Sequence, residues 1–322
     1  MPLLGPAQYR PVPGFEGDVA VCAFSRNGSP VVVEAASGRP MTLVSDDVFL
    51  ATPGYRESTR WVVGGIPEGG LVPGGDYWVL SDSGVIGDLV SDSPTAKRHL
   101  GQAKYLGAVC DDHGHVLNIS RFAATAVDAA DAASRKAPLY LVLGTSAEVG
   151  KTTAAIALMR TLRHKGHARL SALKATGTSS FCEIAMYQDF GATQVFDCVD
   201  FGLPTTYPSD REGIDLIFDK ALDIFLATPA DARVVECGGD ILGANVPVFL
   251  ECLKTRYPSP KVVLAAPDAL AAFGAKRVLH EMGIAITLVT GPCTDTPILR
   301  HRTQTLCEVP AMNMAEGMPA SL

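Results

Sequence analysis

The spacing of apolar and polar positions changes character near residue 125. Before it, short β-branched runs alternate with turns rich in Gly, Pro, Asn and Asp. Runs at 19–24 and 30–34 flank a stretch containing Arg26-Asn27-Gly28, a hairpin signal, because Asn-Gly accepts the positive φ that tight hairpins need. Further strands are expected at 42–50, 60–63, 77–80, 84–90, 104–110 and 115–119, with Asp111-Asp112-His113-Gly114 as the turn between the last two. Many short strands at close spacing predict a small β barrel or sandwich. Residues 123–136 are Ala-rich and free of Gly and Pro, which predicts a helix that Pro138 ends.

After Pro138 the pattern becomes strand–helix alternation. Residues 139–143 form a continuous apolar run, as in a strand buried on both faces. Strands are then expected at 169–173, 194–199, 233–236, 261–265 and 284–290. Helices are expected at 152–164, 181–190, 211–227, 246–255 and 269–282; in 211–227 apolar residues recur at helical spacing. Such alternation predicts an α/β fold, a mainly parallel, doubly wound sheet with helices on both faces. The tail from Ala311, rich in Met and Ala, is expected to be loosely ordered.

Composition narrows the function classes. The 322 residues exceed one compact core, and 47% hydrophobic against 19% charged residues suits globular domains. A net charge of −7 offers no basic excess for nucleic acid. No run of about 18 apolar residues suggests a membrane span, and the amino terminus lacks a secretion signal. Eight scattered cysteines without a C-x-x-C pair fit reduced thiols in a cytoplasmic protein.

The strongest chemical signal is the segment Gly144, Thr145, Ser146, Ala147, Glu148, Val149, Gly150, Lys151, Thr152, followed by Thr153. A phosphate loop needs a tight curl whose N–H groups converge on phosphate oxygens, a lysine ammonium over the β- and γ-phosphates, and a hydroxyl for Mg²⁺. Gly150, Lys151 and Thr152 supply them, between an apolar strand and a helix. The first glycine is displaced: five residues intervene between Gly144 and Gly150 where four are usual, and Thr145 takes the usual glycine position. The expected ligands are ATP and Mg²⁺. The chain then reads as a β-rich amino-terminal domain (1–122), a helical linker (123–137) and a P-loop nucleotide-binding domain (138–322).

Three segments resemble dethiobiotin synthetase and its relatives: Gly-Thr-x-x-Glu-Val-Gly-Lys-Thr at 144–152, Leu173-Lys174-Ala175-Thr176-Gly177-Thr178, and Val234-Val235-Glu236-Cys237-Gly238-Gly239. The resemblance covers only the half after residue 138. The pattern looks closer still to an uncharacterised bacterial P-loop family of unknown function. That family pairs Lys-x-Thr-Gly-Thr with a stretch like Asp197 to Tyr207 here. The resemblance implies phosphoryl transfer by a ligase or synthetase, with Lys151, Lys174 and Glu236 catalytic. It also places a further metal carboxylate early in the second helix, where Glu183 matches best, with Asp189 behind it.

The residues support part of this directly. Lys174 ends a buried strand at the carboxyl edge of the sheet, where ligands of open α/β sheets bind. Glu236 ends another strand and is placed to hold Mg²⁺ with Thr152. Thr176, Gly177, Thr178, Gly238 and Gly239 are candidates to bind an anionic small-molecule substrate. Asp240 is a second-choice acid for the metal after Glu236. Asp197 and Asp200 are expected to line the opening where a substrate enters or to cap the helix that follows. Thr290 to Thr294 is a candidate base site, and a second copy of the chain a candidate partner. No histidine shows metal-ligand spacing. Competing readings are a small-molecule kinase, a nucleotide-switched binding protein such as a GTPase-like metallochaperone, and an acyltransferase whose loop holds a CoA-type pyrophosphate. The guanine-reading Lys is missing from Ala266-Pro267-Asp268.

Overall fold

The structure, a computed structural model, describes residues 9–28, 31–57, 62–92, 100–125, 136–208 and 210–317. The expected linker helix lies largely outside the described residues, as does part of the strand at 60–63. The hairpin expected at Arg26-Asn27-Gly28 does not form: the strand from Ala20 runs through Gly28, and Val32–Glu34 pairs with Pro40–Thr42 instead. The chain forms two compact units. The first takes residues 1–124 together with 178–182 and 198–211; the second takes 125–177, 183–197 and 212–322. Two segments from beyond residue 138 thus fold with the first unit.

The first unit contains β1 (Tyr9–Arg10), β2 (Ala20–Gly28), β3 (Val32–Glu34), β4 (Pro40–Thr42), β5 (Val48–Pro53), β6 (Arg56–Glu57), β7 (Val62–Gly65), β8 (Asp76–Val79), β9 (Val85–Asp92) and β10 (Gly101–Val109). Strands β2, β5, β9, β8 and β10 pair in turn and return to β2. The ring is a small closed barrel, which leaves its members no free edge. Alternation along β5 sends Phe49 and Ala51 inward to Cys22, Tyr77, Ile86 and Tyr105. The expected strand at 42–50 is interrupted because Asp47 accepts a hydrogen bond from the Val44 N–H (2.8 Å) and closes a turn. The expected strand at 115–119 is reduced to two bridges, Cys110 with Val116 and Asp18 with Asn118. There Asn118 caps a 3-10 turn instead of continuing the ladder.

The second unit runs β11 (Leu139–Gly144), α1 (Lys151–His164), β12 (Leu170–Thr176), α2 (Phe181–Asp189), β13 (Ala192–Phe196), α3 (Ile214–Ala227), β14 (Ala232–Cys237), α4 (Val246–Arg256), β15 (Lys261–Ala265), α5 (Ala269–Glu281), β16 (Leu288–Thr290) and α6 (Pro297–Cys307). The first two residues of α2 are counted with the first unit. Every pairing in the sheet β13-β12-β14-β11-β15-β16 is parallel. On one face, Tyr140 and Val142 pack with Ala154, Ala155, Leu158, Met159 and Leu162 of α1, a stripe at helical spacing. The intervening Leu141 faces a cavity of about 250 Å³, shared with Leu250 and Leu253 of α4.

Two expectations near the carboxyl end fail. The last strand is only Leu288–Thr290, and α6 follows it. Thr296 caps that helix and Pro297 opens it, a start signal hidden by the charged run from Arg300 to Arg302. The tail is ordered through residue 317, because Ala311 bridges Val289, and Met314 is buried against α1 while its N–H donates to Thr290 Oγ1 (3.1 Å).

Candidate functional site

The phosphate-loop segment connects β11 to α1. Strand β11 lies between β14 and β15, so the loop leaves the sheet beside the ends of both neighbours. Gly150 has φ +91°, and an added Cβ would meet only Gly291 Cα at 3.9 Å. The left-handed backbone, not space, requires glycine there. Gly144 answers to a different demand. A Cβ at Gly144 would lie 2.7 Å from Lys151 Cδ and 3.0 Å from Val149 Cγ2, because the lysine stem runs back over the strand end. The displaced glycine of the motif therefore makes room for Lys151. Glu148, at φ +60°, takes a second left-handed position in the curl.

Lys151 Nζ donates to the Ser146 carbonyl (2.7 Å), holding the ammonium over the loop. Burial pushes its pKa below the ordinary lysine value. The first-turn N–H groups of α1, those of Lys151, Thr152 and Thr153, have no carbonyl within the helix to receive them. The Thr145 N–H is tied to the Ala265 carbonyl (3.1 Å). Its hydroxyl is buried without a hydrogen-bond partner, an arrangement that normally costs stability. The loop thus presents a cation, a helix amino terminus and an orphaned hydroxyl, which together fit an anionic, oxygen-rich ligand.

Beside the loop stands a cluster of buried acid and base. Lys174 of β12 and Glu236 of β14 are register partners in the sheet. Lys174 Nζ lies 2.6 Å from Glu236 Oε1 and 3.0 Å from Glu183 Oε2. The Thr152 hydroxyl lies 3.1 Å from Glu236 Oε1 and 3.4 Å from Glu183 Oε1. Tyr187 donates to the other oxygen, Glu236 Oε2, at 2.5 Å. Burial opposes charge on Lys174, yet the two carboxylates overturn that and raise its pKa above the ordinary lysine value. Burial likewise opposes ionisation of Glu236, and Lys174, Tyr187 and Lys151 together bring its pKa below the usual carboxylate value. Burial against the same carboxylates raises Tyr187 well above the ordinary phenol and keeps it a donor.

The structure gathers Lys151, Thr152, Lys174, Glu183 and Glu236 into one cluster. Tyr187 joins it without having been picked from the sequence. Its signal was its spacing, four residues after Glu183 on one helix face. The other expected ligand-binding positions have local work. Gly238 donates its N–H to the Thr176 carbonyl (3.0 Å) and accepts from the Thr176 hydroxyl (2.9 Å). A Cβ at Gly238 would lie 2.3 Å from the Thr176 oxygen, so the glycine lets the ends of β12 and β14 approach. Gly177 and Gly239, at φ +97° and +80°, turn the chain beside that contact. Thr178 belongs to the first unit, where it bridges Thr205. Asp240 accepts from the Leu242 and Gly243 N–H groups, closing its own turn. Cys237 is fully buried with its pKa pushed up to about 12, which suits packing rather than nucleophilic attack. In the loop after β16, the Cys293 N–H bonds the Ala266 carbonyl (3.2 Å), which holds this loop beside the end of β15.

The donor set fits Mg²⁺. One hydroxyl and two carboxylates are hard oxygen ligands, and Mg²⁺ in phosphate sites uses one or two carboxylates and completes its shell with phosphate and water. Among the described residues, no group of three or more His, Cys, Asp and Glu could hold a metal by protein ligands alone.

No family model matches the chain, and no curated protein does. Among solved structures, the chain is similar to the signal recognition particle 54 kDa protein of Aeropyrum pernix K1 in complex with GDP, at 16% identity and a TM-score of 0.41. That match covers 57% of this chain and 44% of the other. Chloroplast FtsY from Physcomitrella patens matches at 11% identity and a TM-score of 0.40, over 63% of this chain and 68% of its own. The chain therefore spans less than half of the first structure and about two thirds of the second. These findings correct the resemblance drawn from the motifs. These neighbours are the signal recognition particle 54 kDa protein and chloroplast FtsY rather than dethiobiotin synthetases, and no family model supports the second, uncharacterised family.

Proposed function

We propose that the second unit binds a magnesium nucleoside triphosphate and cleaves its terminal phosphoanhydride, with ATP as the preferred nucleotide. One observation carries this reading: the Thr152 hydroxyl, directly after the loop lysine, stands within 3.1–3.4 Å of two carboxylates from different elements. A hydroxyl at the loop and acids on a neighbouring strand and helix are what a phosphate-bound Mg²⁺ requires. When bound, Mg²⁺ would neutralise charge on the phosphates, held by Thr152, Glu236 and Glu183. The loop N–H groups and Thr145 would orient the phosphates. Lys151 would leave the Ser146 carbonyl for a phosphate oxygen, exchanging a neutral acceptor for an ionic one. Preference for ATP rests on Ala266-Pro267-Asp268, which lacks the guanine-reading lysine and whose Asp268 Oδ1 already accepts the Leu270 and Ala271 N–H groups. We read the sheet as doubly wound, from Val142 packing with α1 while Leu141 meets α4. The ligase chemistry came with the corrected resemblance and forms no part of this proposal.

The test is a ligand panel on the full chain, reading thermal shift and phosphate release. ATP with Mg²⁺ should raise the melting temperature more than ATP with EDTA, and phosphate should be released. Equal stabilisation by coenzyme A without metal, and none by ATP, would replace this reading with the acyl-carrier one. Tight binding of GTP alone, with little turnover, would favour a nucleotide switch.

A further inference from the structure

We infer that Lys174 holds the place of the metal in the nucleotide-free chain, so that Mg²⁺ enters only by displacing its ammonium from Glu236 and Glu183. The inference rests on the magnesium site of the preceding proposal and adds a competitor to it. Glu236 has its Oε2 committed to Tyr187, which leaves Oε1 facing the Thr152 hydroxyl. Lys174 lies on that same oxygen, at 2.6 Å, and also reaches Glu183 at 3.0 Å. Mg²⁺ binds oxygen at about 2.0–2.1 Å and repels a neighbouring ammonium. A Mg²⁺ on Glu236 Oε1 would stand beside the Lys174 ammonium across a single oxygen, and the two like charges compete for it.

The arrangement explains how Glu236 persists as a carboxylate in so buried a place. Glu236 and Lys174 are only 1% and 5% exposed, and a carboxylate so placed needs a permanent counter-charge, whereas Glu183 keeps part of its side chain in solvent. A resident lysine supplies it without metal. It also links two events. Mg²⁺ alone must evict the lysine without offering it another anion. A magnesium nucleotide brings phosphate oxygens that can receive the freed ammonium. Metal binding is therefore weak until the nucleotide arrives, and Lys174 is a cation that changes partners during loading.

The experiment measures Mn²⁺ binding to the full, nucleotide-free chain by electron paramagnetic resonance, with Mn²⁺ as the probe for Mg²⁺. Wild type should bind Mn²⁺ weakly. Lys174→Met should bind it about tenfold tighter or more, the scale of an ordinary coupling free energy. Lys174→Gln, which keeps a donor to Glu236, serves the same purpose if the Met variant does not fold. Unchanged or weaker Mn²⁺ binding by a folded variant overturns the inference. So does wild type binding Mn²⁺ as tightly without nucleotide as with it, a result that needs no variant. The same titration with a non-hydrolysable ATP analogue separates the two claims. If the analogue fails to bind wild type, the nucleotide reading falls; if it binds but the variants gain no Mn²⁺ affinity, only the role of Lys174 falls.

Discussion

The Tyr187 hydroxyl and Glu236 Oε2 are 2.5 Å apart, both in the buried interior of the second unit. This contact assigns one oxygen of the carboxylate to the helix and leaves the other for the loop. Groups that orient a metal ligand in this way typically change metal affinity by about 10–100-fold when removed. Tyr187→Phe should keep the fold and raise the Mg²⁺ concentration needed for phosphate release by about tenfold. A Mg²⁺ titration at saturating nucleotide checks this; an unchanged midpoint would show that Tyr187 does not orient Glu236.

The two glycines that flank the site have separable roles. Gly144→Ala places a methyl 2.7 Å from Lys151 Cδ, and the flexible stem must move. Nucleotide affinity should fall by about tenfold while the melting temperature changes little. Gly238→Ala places its methyl 2.3 Å from the Thr176 carbonyl oxygen, where backbone must shift. It should destabilise the chain by about 1–3 kcal/mol. Calorimetry of binding and of unfolding on both variants tests the distinction, and a reversed pattern would contradict it.

Much of the second unit was legible in the sequence. The continuous apolar run at 139–143 marked β11, as expected for a strand buried on both faces, while β14 keeps its apolar pair Val234-Val235 between buried Arg233 and Glu236. Glu236 and Lys174 stood out as charges ending such runs. Their pairing did not, because register between strands separated by about 60 residues comes from tertiary packing. Thr178 looked like a site residue beside Thr176, yet it folds with the first unit. Local sequence carries no trace of that division. Gly238 read as room for a ligand, whereas its nearest neighbour is the Thr176 carbonyl. Helix α6 was hidden by its charge, since a helix with one thin buried face shows weak periodicity.

Asp231 gives a stability test away from the site. It accepts from the Ala168 and Arg169 N–H groups and from the Arg169 guanidinium, tying the starts of β12 and β14. The Arg169 backbone and side-chain hydrogen bonds hold its pKa below the ordinary value. A depressed carboxylate stabilises above its unfolded pKa, about 3.9, and loses that contribution as pH falls through the folded value. Asp231→Asn should therefore cost about 1 kcal/mol near neutrality, with the exposed part of the ion pair discounted for screening. The deficit should shrink in acid. Urea unfolding across pH measures it, and a deficit independent of pH would contradict the assignment.

Thiol chemistry offers a quick check on Cys237. Cys182 is exposed, while Cys237 is buried with its pKa pushed up to about 12. Iodoacetamide should label Cys182 first in the native chain and reach Cys237 only on unfolding. Early labelling at Cys237 would reopen a nucleophilic role for it.

The central claim is that the loop at 144–153 holds a nucleotide's phosphates through Lys151. Isothermal titration of ATP with Mg²⁺ into wild type and Lys151→Ala tests it most directly. Wild type should bind with a 1:1 stoichiometry, and the variant should lose about 10- to 100-fold in affinity, the worth of a charge-assisted phosphate contact. A folded Lys151→Ala chain that binds the nucleotide as tightly as wild type would contradict the account.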